Sequence, residues 1–530
     1  MKDERRRAPP LSPPGADVKV RARPATRLAL VQLDSLAAVD LGSNSFHLQI
    51  GRVVEDQIYL LDSLREPVRL GAGLTRDKRI DRATQLRALE ALSRFGERLR
   101  GLPAAAVRAV GTNTLRVAKN AAQFLEDAEA ALGFPIEVIF GREEARLIYL
   151  GVSHSLPAAP HRRLVVDIGG GSTEFIIGSG YEPELMESLR IGCVSWSLRF
   201  FTDGTIDRPA MKRAELAASN EIERIVKEYR RAGWKQPVGS SGTARALAAI
   251  LGANGWASSG MITAEGLDRL RAQMIKAGHV TKLTLPGLKE DRAAILPGGL
   301  AIMIATFERL GLDAIEVSEG ALRQGVLYDL LGRVQHHDMR EVTVKQFMRR
   351  YHVDSAQAER VEALALAIYR GLAGRPREAE DLVLAWASRL HEIGLSIARA
   401  AYHKHSAYIL SNADMPGFSK DEQARLARIV LAHRGKLAKI EGLPARSADW
   451  ALVFALRVAA MFYRSRVDFA PPPIACKATD SGFQLALPGS WLDEHPLTAA
   501  ALEQEAEAWR AVGMRFDVRS LGAERAQAAG

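Results

Sequence analysis

Cysteine is nearly missing: the 530 residues contain only Cys193 and Cys476. Two thiols so far apart in sequence make no disulfide framework, and no CxxC spacing offers a zinc site. Cys193 lies in RIGCVSW, where apolar neighbours favour a small buried residue over a nucleophile. Long apolar runs are missing too. ALVFALRVAAMFY at 451–463 is interrupted by Arg457 and is too short to span a bilayer. Lys2, Arg5, Arg6 and Arg7 open the chain, yet no apolar stretch of a secretion signal follows them. A cytoplasmic protein is expected, with membrane contact at most peripheral, at the inner face of the cell membrane. No GxxxxGK[ST] P-loop occurs, which excludes a Walker-type nucleotide site. What the chain does have is ordinary core material, 47% hydrophobic and 25% charged residues. Lys and Arg number 72 against 62 Asp and Glu, a net charge of +10. Such a balance favours polyanionic partners without choosing among them.

Residues 1–34 are polar, rich in Pro and Arg, and read as a disordered tail. Structure begins with LAAVDL, a buried strand, followed by the tight turn GSNS and the return strand FHLQIGRVV. Residues 83–99 have helical spacing, with Leu86, Leu89, Leu92 and Phe95 expected on one face. AVRAVG reads as a strand, NAAQFLEDAEAAL as a helix, IEVI as a strand and REEARLIYLGV as a helix. The pattern then restarts: RLVVDI, GGGS and TEFIIG repeat the first hairpin, and Asp167 takes the place of Asp40. This is an internal duplication of about 125 residues. Its halves are expected at 35–150 and 151–334. From 335 to 470 the pattern is helical, with helices at 361–372, 381–390, 422–432 and 451–463. After PPP at 471–473, the segment 471–530 reads strand, strand, helix, strand, a small α+β unit.

A strand that ends in Asp and turns through glycines can aim backbone N–H groups at an anion. Asp beside that anion calls for a divalent cation, because two negative charges otherwise repel. Gly42, Ser43, Asn44 and Ser45 form the first such turn, in VDLGSNS at 39–45. Gly169, Gly170, Gly171, Ser172 and Thr173 form the second, in VDIGGGST at 166–173. Glu174 opens the return strand and can reach the same cation as Asp167. One such turn alone would read as an ordinary hairpin; two at the start of duplicated halves point to phosphate binding. VGSSGTARAL at 238–247 adds a strand–turn–helix in which Ser241, Gly242 and Thr243 can hold another phosphate at a helix N-terminus.

VDLGSNSFHL, GTNTLR, GREEARLIYLGV, VVDIGGGSTEFIIG, IGCVSW, VGSSGT, LPGGLAI and SEGALRQGVLYDLLGR, in this order, resemble the exopolyphosphatase and guanosine pentaphosphate phosphohydrolase family, Ppx/GppA. LHEIGLSI and HKHSAYILSNADMPGF extend the likeness, so that it covers nearly the whole chain from Leu36 onward. It implies an α/β fold of two duplicated actin-like ATPase (ribonuclease H-like) domains with the site in the cleft between them. An all-helical HD-like domain and the small α+β C-terminal domain are implied to follow. Mg²⁺-dependent removal of a terminal phosphate is the implied activity, in a homodimer. The resemblance also selects Glu144 in GREEA as the group that deprotonates the attacking water, a choice that helical periodicity leaves open between Glu143 and Glu144. It places Asp167 and Glu174 at the metal and Arg116 of GTNTLR facing the phosphates.

Inorganic polyphosphate is the expected substrate, cut processively from its end to orthophosphate; guanosine pentaphosphate (pppGpp) is the alternative, and a silent polyphosphate or nucleotide sensor a further one. No nucleic-acid partner is expected. His403, Lys404, His405, Arg434 and Lys436 of the helical domain are candidates for a basic track beyond the cleft. In His391-Glu392, Glu stands where an HD hydrolase carries Asp, so that domain is expected to have a structural or substrate-channel role.

Overall fold

The computed structural model describes residues 34–54, 57–157, 161–335, 338–374, 377–440, 442–444 and 447–521. The predicted tail falls outside them except for Asp34. The first half is a five-stranded sheet of β1 (Ser35–Leu41), β2 (Phe46–Val54), β3 (Gln57–Glu66), β4 (Val107–Gly111) and β5 (Ile136–Val138), in the order β3-β2-β1-β4-β5. The second contains β6 (Arg163–Ile168), β7 (Thr173–Ser179), β8 (Glu182–Leu189), β9 (Gln236–Ser240), β10 (Met261–Thr263) and β11 (Ala314–Val317), in the order β10-β11-β9-β6-β7-β8. Apart from the antiparallel edge strand β10, the two sheets have one topology. A three-stranded antiparallel meander comes first and two parallel strands follow. The duplication read from the two hairpins therefore extends through both sheets. β1 and β6 are continuous apolar runs because both faces of each are covered.

Two helices cross between the halves. The Gly141–Ser155 helix follows β5 of the first sheet yet packs on β7 and β8 of the second. The Leu322–Val334 helix follows β11 of the second sheet yet packs on β1 of the first. They lie against each other backbone to backbone. A Cβ on Gly325 would fall 1.7 Å from the Leu147 carbonyl oxygen, and one on Gly151 would fall 2.1 Å from that of Ala321. Glycine is required at both positions by that approach. Leu147, Val152, Val326, Leu330, Val165 and Ile176 form the apolar core at this crossing.

The 83–99 reading gave a helix, Arg82–Leu99, capped by Asp81 accepting from Thr84 N–H at 2.8 Å. Its buried face is Ala88, Ala91, Leu92, Phe95 and Leu99, whereas Leu86 is exposed. The correction follows from geometry, since residues six apart stand well round the helix from one another. Helices Ser355–Ala373, Glu378–Leu390, Lys420–Ala432 and Asp449–Phe462 form the helical region, joined by Met339–Arg350 and Tyr402–Asn412. The last segment pairs β12 (Ala475–Thr479), β13 (Gly482–Pro488) and β14 (Arg515–Leu521) around the Pro496–Arg510 helix. It shares one core with the helical region: Trp509 packs against Trp450, Phe454 and Phe483.

Candidate active site

Both predicted hairpins place their acid identically. Asp40 on β1 lies opposite His47 on β2, as Asp167 on β6 lies opposite Glu174 on β7. The turns beyond them meet. A Cβ on Gly170 would lie 3.0 Å from Ser43 Cβ, and one on Gly171 would lie 2.1 Å from Asn113 Nδ2. Between them is a cavity of about 120 Å³ lined by Gly42, Ser43, Asn44, Ser45, Gly169, Gly170, Gly171, Ser172, Ser241, Gly242 and Thr243, together with Asp40, Glu144 and Asp167. Ser241 opens the Ser241–Ala253 helix with φ of 72°, a left-handed conformation that a serine seldom adopts. Its hydroxyl and that of Thr243 both donate to the Ile168 carbonyl, at 3.1 and 2.8 Å. The third element is thereby tied to the second turn, with its first free amides at the cavity.

The structure separates Glu143 from Glu144. Both sit in the first turn of the Gly141–Ser155 helix. Glu144 lines the cavity, whereas Glu143 turns into a buried network of arginines. Arg116 is not among the residues lining the cavity but bonds one that is. Its guanidinium donates to Glu144 Oε2 at 2.6 Å and to the Ile139 carbonyl at 3.1 Å, so it orients the acid. Thr173 also departs from its assigned place: it is fully buried and donates to the Ile191 carbonyl at 2.6 Å, because it already belongs to β7.

Four carboxylates converge here. Burial pushes the Asp40 carboxyl up to about 7, with Glu144 and Asp167 adding to the rise and Arg323 opposing it. Burial likewise raises Asp167 to about 6, with the neighbouring Ser240 and Ser241 opposing the rise and Glu144 adding to it. Glu174 stands behind the cavity wall and is raised well above the usual range, by burial first and then by Glu144 and Asp167. Its Oε1 accepts from Ser188 at 2.7 Å, while its Oε2 is buried with no partner. Raised acids and an orphaned carboxylate oxygen are what a divalent cation would relieve. Among the described residues no three His, Cys, Asp or Glu side chains are grouped to hold one ion. A cation here would take its remaining ligands from water and phosphate, as Mg²⁺ commonly does.

The opposite rim is basic, and the sequence reading missed it. Arg245, Arg292, Arg323 and His47 line the cavity, and Arg65 donates to Ser45 Oγ at 3.3 Å. Burial, then Arg323, Arg65, Arg245 and Arg292, hold the His47 imidazole far below its ordinary range. Arg292 packs so closely on Gly242 that a Cβ there would fall 2.2 Å from its Nη2. Burial and the neighbouring guanidinium groups lower both Arg245 and Arg292. Crowded cations that disfavour one another form a ready-made receptor for polyanions. Arg245 was within reach of sequence reasoning, being in the first turn of the helix after VGSSG; Arg292 carries no local signal.

The model of the Ppx/GppA phosphatase family matches residues 49–334, and that of Ppx/GppA phosphatase domain III matches residues 339–506. The chain belongs to the Ppx/GppA phosphatase family. It is an enzyme, a hydrolase of phosphoric anhydride bonds. A guanosine-5′-triphosphate,3′-diphosphate pyrophosphatase of Aeromonas hydrophila is 39% identical over 490 residues, covering 90% of this chain and 97% of that protein. An exopolyphosphatase of Cytophaga hutchinsonii superimposes with a TM-score of 0.51 at 27% identity, covering 57% of this chain and 98% of its own. Among the described residues no helix is long and apolar enough to cross a membrane.

The candidate basic residues of this Ppx/GppA member lie near one another in the helical domain, with Lys439, Arg434 and Lys404 among the cations around His403. Arg434 and Lys436 line a separate cavity of about 380 Å³ with Tyr402, Arg457, Arg464 and Glu505. His403 is buried, and its Nε2 lies 2.7 Å from Lys439 Nζ; Lys404 is exposed and His405 half-buried. The rings of His391 and His403 both approach His433, with centroids 5.0 and 6.2 Å from it.

Proposed function

We propose that this chain hydrolyses guanosine pentaphosphate to guanosine 3′,5′-bis(diphosphate) and orthophosphate. The observation that carries this reading is the 39% identity, along 90% of the chain, to the Aeromonas hydrophila protein named for that substrate. Polyphosphate, first in order from the sequence, becomes the second reading, supported by the likeness to the Cytophaga exopolyphosphatase and by the separate basic cavity. Both substrates end in the same phosphoanhydride, and the cavity's small-residue turns and arginine rim suit phosphoryl groups. The rest of the substrate would extend past the arginine rim.

In this reading Glu144, held by Arg116, takes a proton from water, whose oxygen forms the new bond to the terminal phosphorus. The bond to the bridging oxygen breaks, and that oxygen keeps the electron pair. The turn amides, Arg245, Arg292 and Arg323 neutralise the phosphate oxygens; placement and charge supply most of the catalysis in such transfers. Mg²⁺ held by Asp167 and Asp40, with Glu174 behind, would supply further charge neutralisation.

Phosphate release from the purified full chain decides the substrate. kcat/KM is expected to be at least ~10-fold higher for guanosine pentaphosphate than for long polyphosphate, a discrimination of about 1.4 kcal/mol; the reverse ratio makes it an exopolyphosphatase. Glu144→Gln should lower kcat by roughly 10²–10⁴-fold with KM little changed. Wild-type turnover in that variant would remove Glu144 from its role. The homodimer and the metal belong to the same proposal, to be read by sedimentation and by activity after chelation.

A further inference from the structure

Glu143, beside the proposed base, makes contacts that reach out of the catalytic halves. Its Oε2 accepts from Arg146 Nε at 2.8 Å and from the backbone N–H of Gly417 at 2.9 Å. Gly417 belongs to the helical domain, 274 residues further along the chain. Its carbonyl in turn accepts from Arg333 Nη2 at 2.9 Å, in the Leu322–Val334 helix. One residue of the helical domain is thus clasped at both polar groups by the two crossing helices. The neighbours of Glu143 hold the same loop. Arg142 donates to Asp414 at 2.8 Å, and the Lys420 ammonium sits 5.3 Å over the ring of Phe140, the cap residue of the helix.

Behind Glu143 the interior is charged. Arg108 and Arg146 both bond Asp329, and Arg333 donates to it at 3.1 Å. Burial acts to raise Asp329, but Arg146, Arg108 and Arg333 hold it well below the usual range. The buried guanidinium groups of Arg108 and Arg146 need the Glu143 charge alongside those of Asp329 and Glu137, which also meet the half-buried Arg333. Glu143 is therefore fixed from behind by charge and from the front by an amide of another domain.

A helix turns about 100° per residue, so any rotation of this first turn carries Glu144 with it. A misplacement of about 1 Å at a reacting group can cost roughly 10²-fold in rate. We infer that Glu143 is a positioning residue, and that the 415–418 loop of the helical domain, through Gly417 N–H, sets the rotation of the Gly141–Ser155 helix that directs Glu144 into the cavity. This rests on the reading of Glu144 as the base. It gives the helical domain a part in turnover, beyond any part in holding substrate.

The test is a double-mutant cycle on the full-length enzyme. Gly417→Ala disturbs the loop where it meets the start of the Met339–Arg350 helix, away from the cleft: the residue has φ of 88°, and its Cβ would fall 2.9 Å from Arg340 N. It should lower kcat by about 10-fold with KM within about twofold, and Glu143→Gln should lower kcat by about 10²-fold. In a Glu144→Gln background each should cost less than about twofold, because a residue acting through Glu144 has nothing left to position. Equal fractional losses in both backgrounds, or unchanged kcat in Gly417→Ala, would overturn the inference while leaving Glu144 in place. Full turnover in Glu144→Gln alone would overturn the base and the positioning role together. Should Glu143→Gln fail to fold, Gly417→Ala in both backgrounds carries the same decision.

Discussion

The two glycine turns share a backbone path and differ in what holds them. The first is braced by side chains and a neighbouring loop: Thr114 donates to Ser43 Oγ at 2.7 Å, Gly71 N–H to the Ser43 carbonyl at 2.7 Å, and Arg69 N–H to that of Asn44 at 2.8 Å. The second is braced by backbone. The amides of Cys193, Val194 and Ser195, at the start of the Cys193–Phe200 helix, donate to the carbonyls of Gly169 and Gly170. Gly192 lies so near that its Cβ would fall 2.4 Å from the Gly170 carbonyl carbon. From the front, Ser43 and Asn113 press on Gly170 and Gly171. Gly170 and Gly171 are therefore crowded on both sides of the turn. The first turn binds the same cavity with only one glycine, Gly42.

Gly170→Ala gives the largest effect expected from this contrast. It pushes the halves apart at the Ser43 contact, and kcat/KM should fall by roughly 10²-fold in steady-state assays. Ser43→Ala, which removes one hydrogen bond, should cost only about fivefold. Comparable losses in the two variants would dissolve the distinction.

Metal dependence ranks next. Asp167→Asn should raise the Mg²⁺ concentration for half-maximal activity by about 10-fold or more, as loss of one supporting ligand group commonly does. Asp40→Asn should raise it less, because His47 stands where the second half has Glu174 with its free oxygen. A larger shift in Asp40→Asn would move the cation to the first turn.

The smallest effect is on stability against pH. Folded, the cation-free enzyme keeps the Asp40 proton to about pH 7 and the Asp167 proton to about pH 6, whereas both are released near 3.8 when unfolded. Unfolding therefore releases protons in this window, and stability falls as pH rises from about 4 through 7. Thermal melts without metal should show Tm dropping between about pH 4 and 7. The double variant Asp40→Asn, Asp167→Asn should flatten that drop, and Mg²⁺ should oppose it. A Tm that rises over this range would contradict the burial of these acids.

The duplicated hairpins were legible because a buried strand, an Asp and a small-residue turn are all local signals. β3 and β8 carry weaker ones: Tyr59, Leu60 and Leu61 on β3 are exposed, so no alternation marks its inner face. The arginine rim was hidden for another reason. Arg65, Arg245, Arg292 and Arg323 come from four separate segments, and only the folded sheets bring them together. The same holds for Glu143 and Glu144. Adjacent in sequence, they are told apart by their partners: Glu143 accepts from the N–H of Gly417, far along the chain, and Glu144 from Arg116.

The core shared by the last segment and the helical region bears on any attempt to shorten this protein. Trp509, Phe483 and Phe516 are not the interior of a detachable module; with Trp450 and Phe454 they complete one aromatic cluster. A chain cut after PPP at 471–473 would uncover Phe454 on a helix that packs, through the helical bundle, towards the loop at Gly417. Trimming at that natural-looking linker would then produce an aggregation-prone fragment with a loosened catalytic helix, although every residue of the cleft would still be present.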